Sequence, residues 1–416
     1  MWSTNLKWRP KGSRQPYPIT IISKSTIQNP PINIYEGIGL MSGTSMDGVD
    51  LAFCRFTECP TTEDAEKSHP NNWSYEILKA TTLPFTKDWT EKLKSLDTQS
   101  AVLFARTDVE FGHYLGSSVR AFIQDTGMNP QFVASHGQTI FHQPENTFTT
   151  QIGDGETMAS YLQVPLVTQF RNKDIALGGQ GAPLVPFGER LLFPSGQLFL
   201  NLGGIANLTC GDRAFDVCVC NMALNWMAEK LSPELGYDPD GRHAASGHII
   251  PTLLSSLEGI DWYQSPPPKS LGKEWFESII LPLLENEGGS WEDKLATYSE
   301  HIANRLVHAL SIHASRSDQD SLLVSGGGVH NSHLVQLIQK KLKEAGNHLQ
   351  VSTDPMLTDY KEAMIFAFLG LQTLLGRPNT LTSVTGAKQP CIGGSIHLPP
   401  SIQSFQLPLT PCHSRS

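Results

Sequence analysis

The stretch GLMSGTSMDGVD, residues 39–50, decides how this chain is read. An apolar run from Ile38 to Met41 ends in a turn holding Ser42, Gly43, Thr44, Ser45, Met46, Asp47 and Gly48. A second strand-like run, Val49 to Phe56, follows at once. Two strands joined by a tight turn rich in Gly and hydroxyls present backbone N–H groups to an anion such as phosphate. Asp47 and Asp50 stand where carboxylates can orient Mg²⁺ or its waters. Taken alone, the segment is equally well a hydrophilic hairpin tip.

The pattern returns. Residues 197–202 (QLFLNL) read as a strand, Gly203-Gly204-Ile205-Ala206 as a turn, and 207–210 and 214–219 as two further strands. Strand, Gly-rich turn, strand, strand therefore occurs twice, which implies two similar halves with a cleft between them. Around these units run an amphipathic helix near 102–125, a strand at 131–134, a polar loop SHGQTIFH at 135–142, and helices at 221–231 and 292–315. Strands alternating with helices give an α/β layered fold. After the strand Leu322-Leu323-Val324, the triplet Gly326-Gly327-Gly328 lets a flat ligand approach the backbone, unless it is only a loose turn. Asp359 and Glu362 have the spacing of a capping box that opens an apolar helix, Ala363 to Leu375.

Composition bounds the function. A chain of 416 residues exceeds one ordinary core, so two domains are expected. The divisions are 33–196 and 197–400, with a basic, acid-poor N-terminal extension at 1–32 expected to be disordered and a tail at 401–416. A net charge of −9 argues against nucleic acid as partner. No apolar run approaches the roughly 18 residues of a membrane span. Seven scattered cysteines suit a reducing compartment, so a cytoplasmic location is expected.

Together these segments resemble the anhydro-N-acetylmuramic acid kinases, within the superfamily of sugar kinases, actin and Hsp70. The likeness spans residues 36 to 398. Beyond the opening motif it rests on SHGQTIFH, QIGDGETMA (151–159), FRNKDIALGGQGAPLVPFGE (170–189) and LNLGGIANLT (200–209). It continues through YDPDGRHAASG (237–247), PPPKSLGKEWF (266–276), VSGGGVHNSHL (324–334), DYKEAMIFAFLG (359–370) and SVTGA (383–387). The resemblance implies two RNase-H-like domains of actin/hexokinase type around an ATP cleft. Residues 43–48, with Val49 and Asp50, would form the first phosphate loop, and Asn201 to Asn207 (NLGGIAN), with Gly203 and Gly204, would form the second. Gly326, Gly327 and Gly328 would lie against adenosine, with ATP and Mg²⁺ as cofactors.

The family reaction is unusual, because a 1,6-anhydro sugar has no free O6 hydroxyl. Water must add at C1, and as the C1–O6 bond breaks O6 attacks the γ-phosphate. The resemblance gives Asp216 the role of base and places His136, Arg171, Asp174 and Glu362 on the sugar side. A buried Arg171–Asp174 pair is the structural alternative. The expected partner is the small anhydro sugar, with a homodimer left open. This chain departs from the family pattern FDTGPGN, reading Phe215-Asp216-Val217-Cys218-Val219-Cys220-Asn221. Val and Cys lack the conformational freedom of Gly, so these side chains are expected to intrude on the phosphates. That departure keeps an impaired pseudokinase, or a kinase of another 1,6-anhydro sugar such as levoglucosan, as alternatives. Gln169, the PFGE segment at 186–189 and Asn225 are smaller departures.

Overall fold

The computed structural model describes residues 32–43, 48–58, 72–194, 196–211, 213–267, 269–313, 321–347, 349–401 and the backbone of 410–411. The expected N-terminal extension and Thr44, Ser45, Met46 and Asp47 lie outside the described residues, as does most of the tail.

In the first half, β1 (Asn33–Met41), β2 (Gly48–Glu58) and β3 (Trp73–Pro84) form an antiparallel meander. Strands β4 (Phe132–Ser135) and β7 (Leu166–Thr168) extend it in parallel with β1. The resulting order is β3-β2-β1-β4-β7. In the second half, β8 (Gln197–Leu202), β9 (Ile205–Cys210) and β10 (Arg213–Val219) repeat the meander. Strands β11 (Ser321–Ser325) and β12 (Gln350–Ser352) extend it in parallel with β8. The order β10-β9-β8-β11-β12 is that of the first sheet element for element. The duplication read from two Gly-rich turns is thus a duplication of whole sheets.

Periodicity placed the long helices well. Helix α1 (Ala101–Thr126) is capped by Ser100, whose side chain accepts from Leu103 N, and is ended by left-handed Gly127. It buries Phe111, Leu115, Val119 and Phe122 on the side of the first sheet that carries Ile38, Leu40 and Val133. One loop reading fails: part of SHGQTIFH is β5 (Gln138–Gln143), paired with β6 (Phe148–Ile152).

The capping-box reading also fails. The C-terminal helix, α5 in the order used here, spans Pro355–Leu374 and begins at Asp354, which accepts from Met356 N at 2.8 Å and Leu357 N at 3.1 Å. Asp359 and Glu362 therefore lie inside the helix. Pro at its first position has the φ a helix start requires. Helix α2 (Val185–Leu192) precedes the second sheet, α3 (Asn221–Ala228) follows β10, and α4 (Trp291–His313) precedes β11.

Helix α5 packs on β1, β2 and β4 of the first sheet and reaches β11 of the second. Its residues Ala363 to Leu371 are buried on all sides, so it is a central helix rather than an amphipathic surface one. Gly39 makes this possible, since a Cβ there would overlap the Ala363 carbonyl. β13 (Ser395–His397) then pairs with β7, so residues 355–374 and 395–397 pack on the first sheet although they follow the second. Phe199 and Leu323 of the second sheet share one apolar cluster with α5 and with Phe187 of α2. Among the described residues no helix is long and apolar enough to cross a membrane.

Candidate active site

The second Gly-rich turn is held by the start of α3. Asn221 N donates to Gly203 O (3.1 Å), and Cys220 N (2.8 Å) and Met222 N (3.1 Å) donate to Gly204 O. In a trans peptide, C=O and N–H point in opposite directions. With the Gly203 carbonyl turned toward α3, the N–H of Gly204 is turned away from it, outward from an exposed turn. The Asn221 side chain adds a bond from Nδ2 to Leu202 O at 2.8 Å. A built turn thus presents an amide donor at the carboxyl end of β8, the edge of an α/β sheet where ligands collect.

The glycine triplet lies beside this turn, at the end of β11. Gly326 has φ +85° and a Cβ there would overlap Asn201 Oδ1; one on Gly328 would stand 2.7 Å from Leu202 Cβ. These glycines let the β11 end close over the β8–β9 tip. The triplet is tied to α5 through Gly326 N to Thr358 O (3.0 Å) and through His330 Nε2 with Asp359 Oδ1 (2.9 Å). The hydroxyls Ser325 Oγ and Thr358 Oγ1 are buried there without a hydrogen-bond partner among the described residues. Such orphaned groups are rare in finished interiors and fit a surface completed by a ligand or water.

Strand register adds a row that spacing alone conceals. Asp216 pairs with Asn207, Asn207 with Asn201, and Asn201 with Ser325. Residues directly opposite in adjacent strands project to one face. That face also carries Phe199 and Leu323, which pack toward α5, so the polar row faces the space between the sheets. At about 4.8 Å per strand, Asp216 stands roughly 14 Å across the row from Ser325. Asp216 Oδ2 accepts from Leu271 N (2.8 Å) and its N–H donates to Lys269 O (3.1 Å), so the KSLG segment lines the open edge of β10. Burial pushes the Asp216 carboxyl up to about 6, against the lowering effect of the Leu271 N–H. A carboxylate poised near neutrality is what a general base requires.

The expected intrusion of the Val-Cys-Val-Cys segment is not what its side chains do. Val217, Cys218, Val219 and Cys220 are all buried in the core of the second half, with Leu200, Leu202 and Leu208. A register shift between Asp216 and Cys218 turns the chain there. Apolar side chains continue the strand and enter the core, where glycine would have left the strand unpacked.

In the first half, the described part of the β1–β2 turn is Ser42, Gly43 and Gly48. Ser42 Oγ donates to Gln138 Oε1, while Gln138 Nε2 is buried without a partner among the described residues. Val49 is buried in the core, and Asp50 Oδ1 accepts from Thr82 Oγ1 at 2.6 Å. His136 is buried; its Nδ1–H donates to Gly137 O (2.8 Å), which fixes the tautomer and leaves Nε2 to accept from Arg171 Nε (3.0 Å) and Nη2 (2.8 Å). Burial, with Arg171 next, lowers the imidazole to about 3, so this histidine is a neutral support for the guanidinium. Arg171 is lowered to about 10 by burial, opposed by the field of Glu362. Burial raises the Glu362 carboxyl, with Lys361 and Arg171 opposing it. Among the described residues, Arg171, His136 and Glu362 thus form one electrostatic group.

The Arg171–Asp174 pair does not form. Arg171 Nη1 donates to Gly181 O (2.8 Å), while Asp174, fully buried, accepts from Gly181 N (2.8 Å) and Thr385 Oγ1 (2.8 Å). Asp174 thus anchors the Gly-rich loop and the SVTGA segment. The sequence reading placed Ser42 in the first turn and Asn201 in the second phosphate loop but gave no site role to Gln138, Ser325 or Thr358, which act through register or packing.

A family model described as anhydro-N-acetylmuramic acid kinase matches residues 35–399. The chain is 36% identical over 383 residues to the anhydro-N-acetylmuramic acid kinase of Coxiella burnetii, covering 86% of this chain and 96% of that protein. It is 32% identical over 388 residues to the one from Bacillus cereus, covering 87% and 99%. Among solved structures it is similar to a ROK family glucokinase from Streptomyces griseus in complex with glucose and AMPPNP, at 13% identity, a TM-score of 0.36, and 80% and 98% coverage. This chain belongs to the anhydro-N-acetylmuramic acid kinase family.

Proposed function

We propose that the chain is an ATP-dependent kinase that opens the 1,6-anhydro ring of anhydro-N-acetylmuramic acid with water. It then transfers the γ-phosphoryl group to O6, giving N-acetylmuramic acid 6-phosphate and ADP. The observation that carries this reading is Asp216 on the cleft-facing row, in line with the second Gly-rich turn and the glycine triplet.

Asp216 takes the proton from the attacking water as the C1–O bond forms; the C1–O6 pair leaves with O6, which becomes the nucleophile. Leu271 N fixes the carboxylate through one oxygen and leaves the other to meet water. Gly204 N–H, with the amides of the first turn, receives phosphate oxygens. Gly326 to Gly328 accept the flat adenosine, and the Ser325 and Thr358 hydroxyls, without partners among the described residues, gain them there. The buried donors and the open Gly204 turn fit a nucleotide phosphate. Mg²⁺ accompanying ATP supplies charge neutralisation on the phosphates, and Asp50 is the described carboxylate nearest the first turn along the chain. Arg171, held by neutral His136, orients the sugar together with Glu362. Closure of the sheets on α5 excludes bulk water, so that ATP is not simply hydrolysed.

Turnover tests the reading. With anhydro-N-acetylmuramic acid and ATP, ADP release coupled to a phosphorylated sugar is expected, and levoglucosan is expected to be the poorer acceptor. ATP binding by calorimetry with no phosphorylated product would overturn it in favour of a nucleotide-binding protein.

A further inference from the structure

On the face of β10 opposite the Asp216 row lies a cavity of about 220 Å³. Phe215, Val217 and Tyr263 supply apolar wall, while Lys269, Arg305 and His313 bring basic groups from two elements. None of the described residues lining it is acidic. Glu258 pairs with Arg305, but it also meets His301 (2.9 Å) and Asn304 (3.3 Å). Arg305 Nε is buried with no hydrogen-bond partner among the described residues, a charged group's donor left over. Lys269 Nζ donates to the Tyr263 carbonyl at 3.2 Å and stands 4.4 Å from the centre of the Trp262 ring, with no carboxylate partner among the described residues. Burial and then Arg305 lower Lys269; burial and then Arg213, Lys269 and His308 lower His313. Arg305 has Glu258 as its counter-ion, whereas Lys269 beside it has none among the described residues.

We propose that this cavity is a binding site for a small organic phosphate, its phosphate against Lys269 and Arg305 and its body against Phe215, Val217 and Tyr263. Lys269, with the unpartnered Nε–H of Arg305 beside it, offers two cationic donors that suit a dianionic phosphate. The volume lies below the ~300 Å³ at which drug-sized sites begin, which favours a ligand of sugar-phosphate size over a nucleotide. The site is wired to Asp216: the Lys269 carbonyl accepts from Asp216 N, and Leu271 N, two residues on, donates to the Asp216 carboxylate. An occupant that draws on Lys269 acts on the segment that holds the base. Only this coupling rests on the kinase reading; the binding does not.

Calorimetry on the full chain tests the proposal, with glucosamine 6-phosphate and inorganic phosphate as probes and a saturating non-hydrolysable ATP analogue present. Saturable glucosamine 6-phosphate binding is expected, weakened at least about tenfold by Lys269→Met. Ile312 lines the mouth and is 59% exposed, so Ile312→Trp blocks entry without disturbing the core and is expected to abolish binding. No binding of either probe, or binding untouched by both variants, overturns the proposal. Equal affinity for inorganic phosphate overturns the part given to the apolar wall. Turnover is not measured, so failure here is separable from failure of the kinase assignment.

Discussion

Replacing Asp216 with Asn separates the chemistry of this residue from its structural cost. The amide side chain of D216N keeps an oxygen that accepts from Leu271 N, so the geometry of the KSLG segment is retained while the charge and the base are lost. Loss of a positioned general base costs about 10²–10⁴ in rate. Stability moves the other way. The folded-state carboxyl titrates at about 6, against an ordinary value of 3.8, because burial disfavours its charge. The folded chain therefore holds this proton more tightly than the unfolded chain. The associated stability is fully present below about pH 4 and is lost as pH rises through about 6. At pH 8 the ionised group then costs the fold up to about 3 kcal/mol, at about 1.36 kcal/mol for each tenfold change in proton affinity. D216N is expected to be nearly inactive and more stable at pH 8, with the gain fading toward pH 4. Coupled ADP release and urea unfolding at both pH values measure the two effects. Activity within a few-fold of wild type, or a variant less stable at pH 8, would refute the reasoning.

Three further outcomes follow from the geometry. In the wild type, the acid limb of kcat/KM is expected near pH 6, where protonation of Asp216 removes the base, and a pH–rate profile from 5 to 8 reads it. Gly326→Ala forces a side chain into a φ of +85° against Asn201; loss of more than about 1 kcal/mol of stability and weaker ATP binding are expected by thermal melting and calorimetry. Lys361 and Glu189 form a buried pair at 2.7 Å between α5 and α2. Lys361→Met alone is expected to cost about 3–5 kcal/mol, and Lys361→Met with Glu189→Leu to recover most of it, by denaturant titration.

The strands and the second Gly-rich turn were legible because strand ends, glycines and apolar runs are local signals. The start of α5 was not. Asp359, Lys361 and Glu362 look like a polar helix opening, yet they sit mid-helix because Lys361 is neutralised by Glu189, far back in the chain. The alignment of Asn201 and Asn207 with Ser325 and Asp216 was equally hidden, since their row exists only through the pairing register of four strands. The Val217–Cys220 departure was visible, but its meaning depended on which way the side chains turn. They turn into the core, which leaves Asp216 at the cleft with its strand intact. Asp174 shows the reverse case: its acidic character suggested a sugar contact or an Arg partner, whereas two short bonds make it a loop anchor.

The most direct test of the proposed chemistry is mass spectrometry of the product formed in ¹⁸O-labelled water from anhydro-N-acetylmuramic acid and ATP. The expected result is one label at C1 of a sugar that carries an unlabelled phosphate on O6. Label found in inorganic phosphate, with the anhydro ring intact, would show plain ATP hydrolysis and contradict the role given to Asp216.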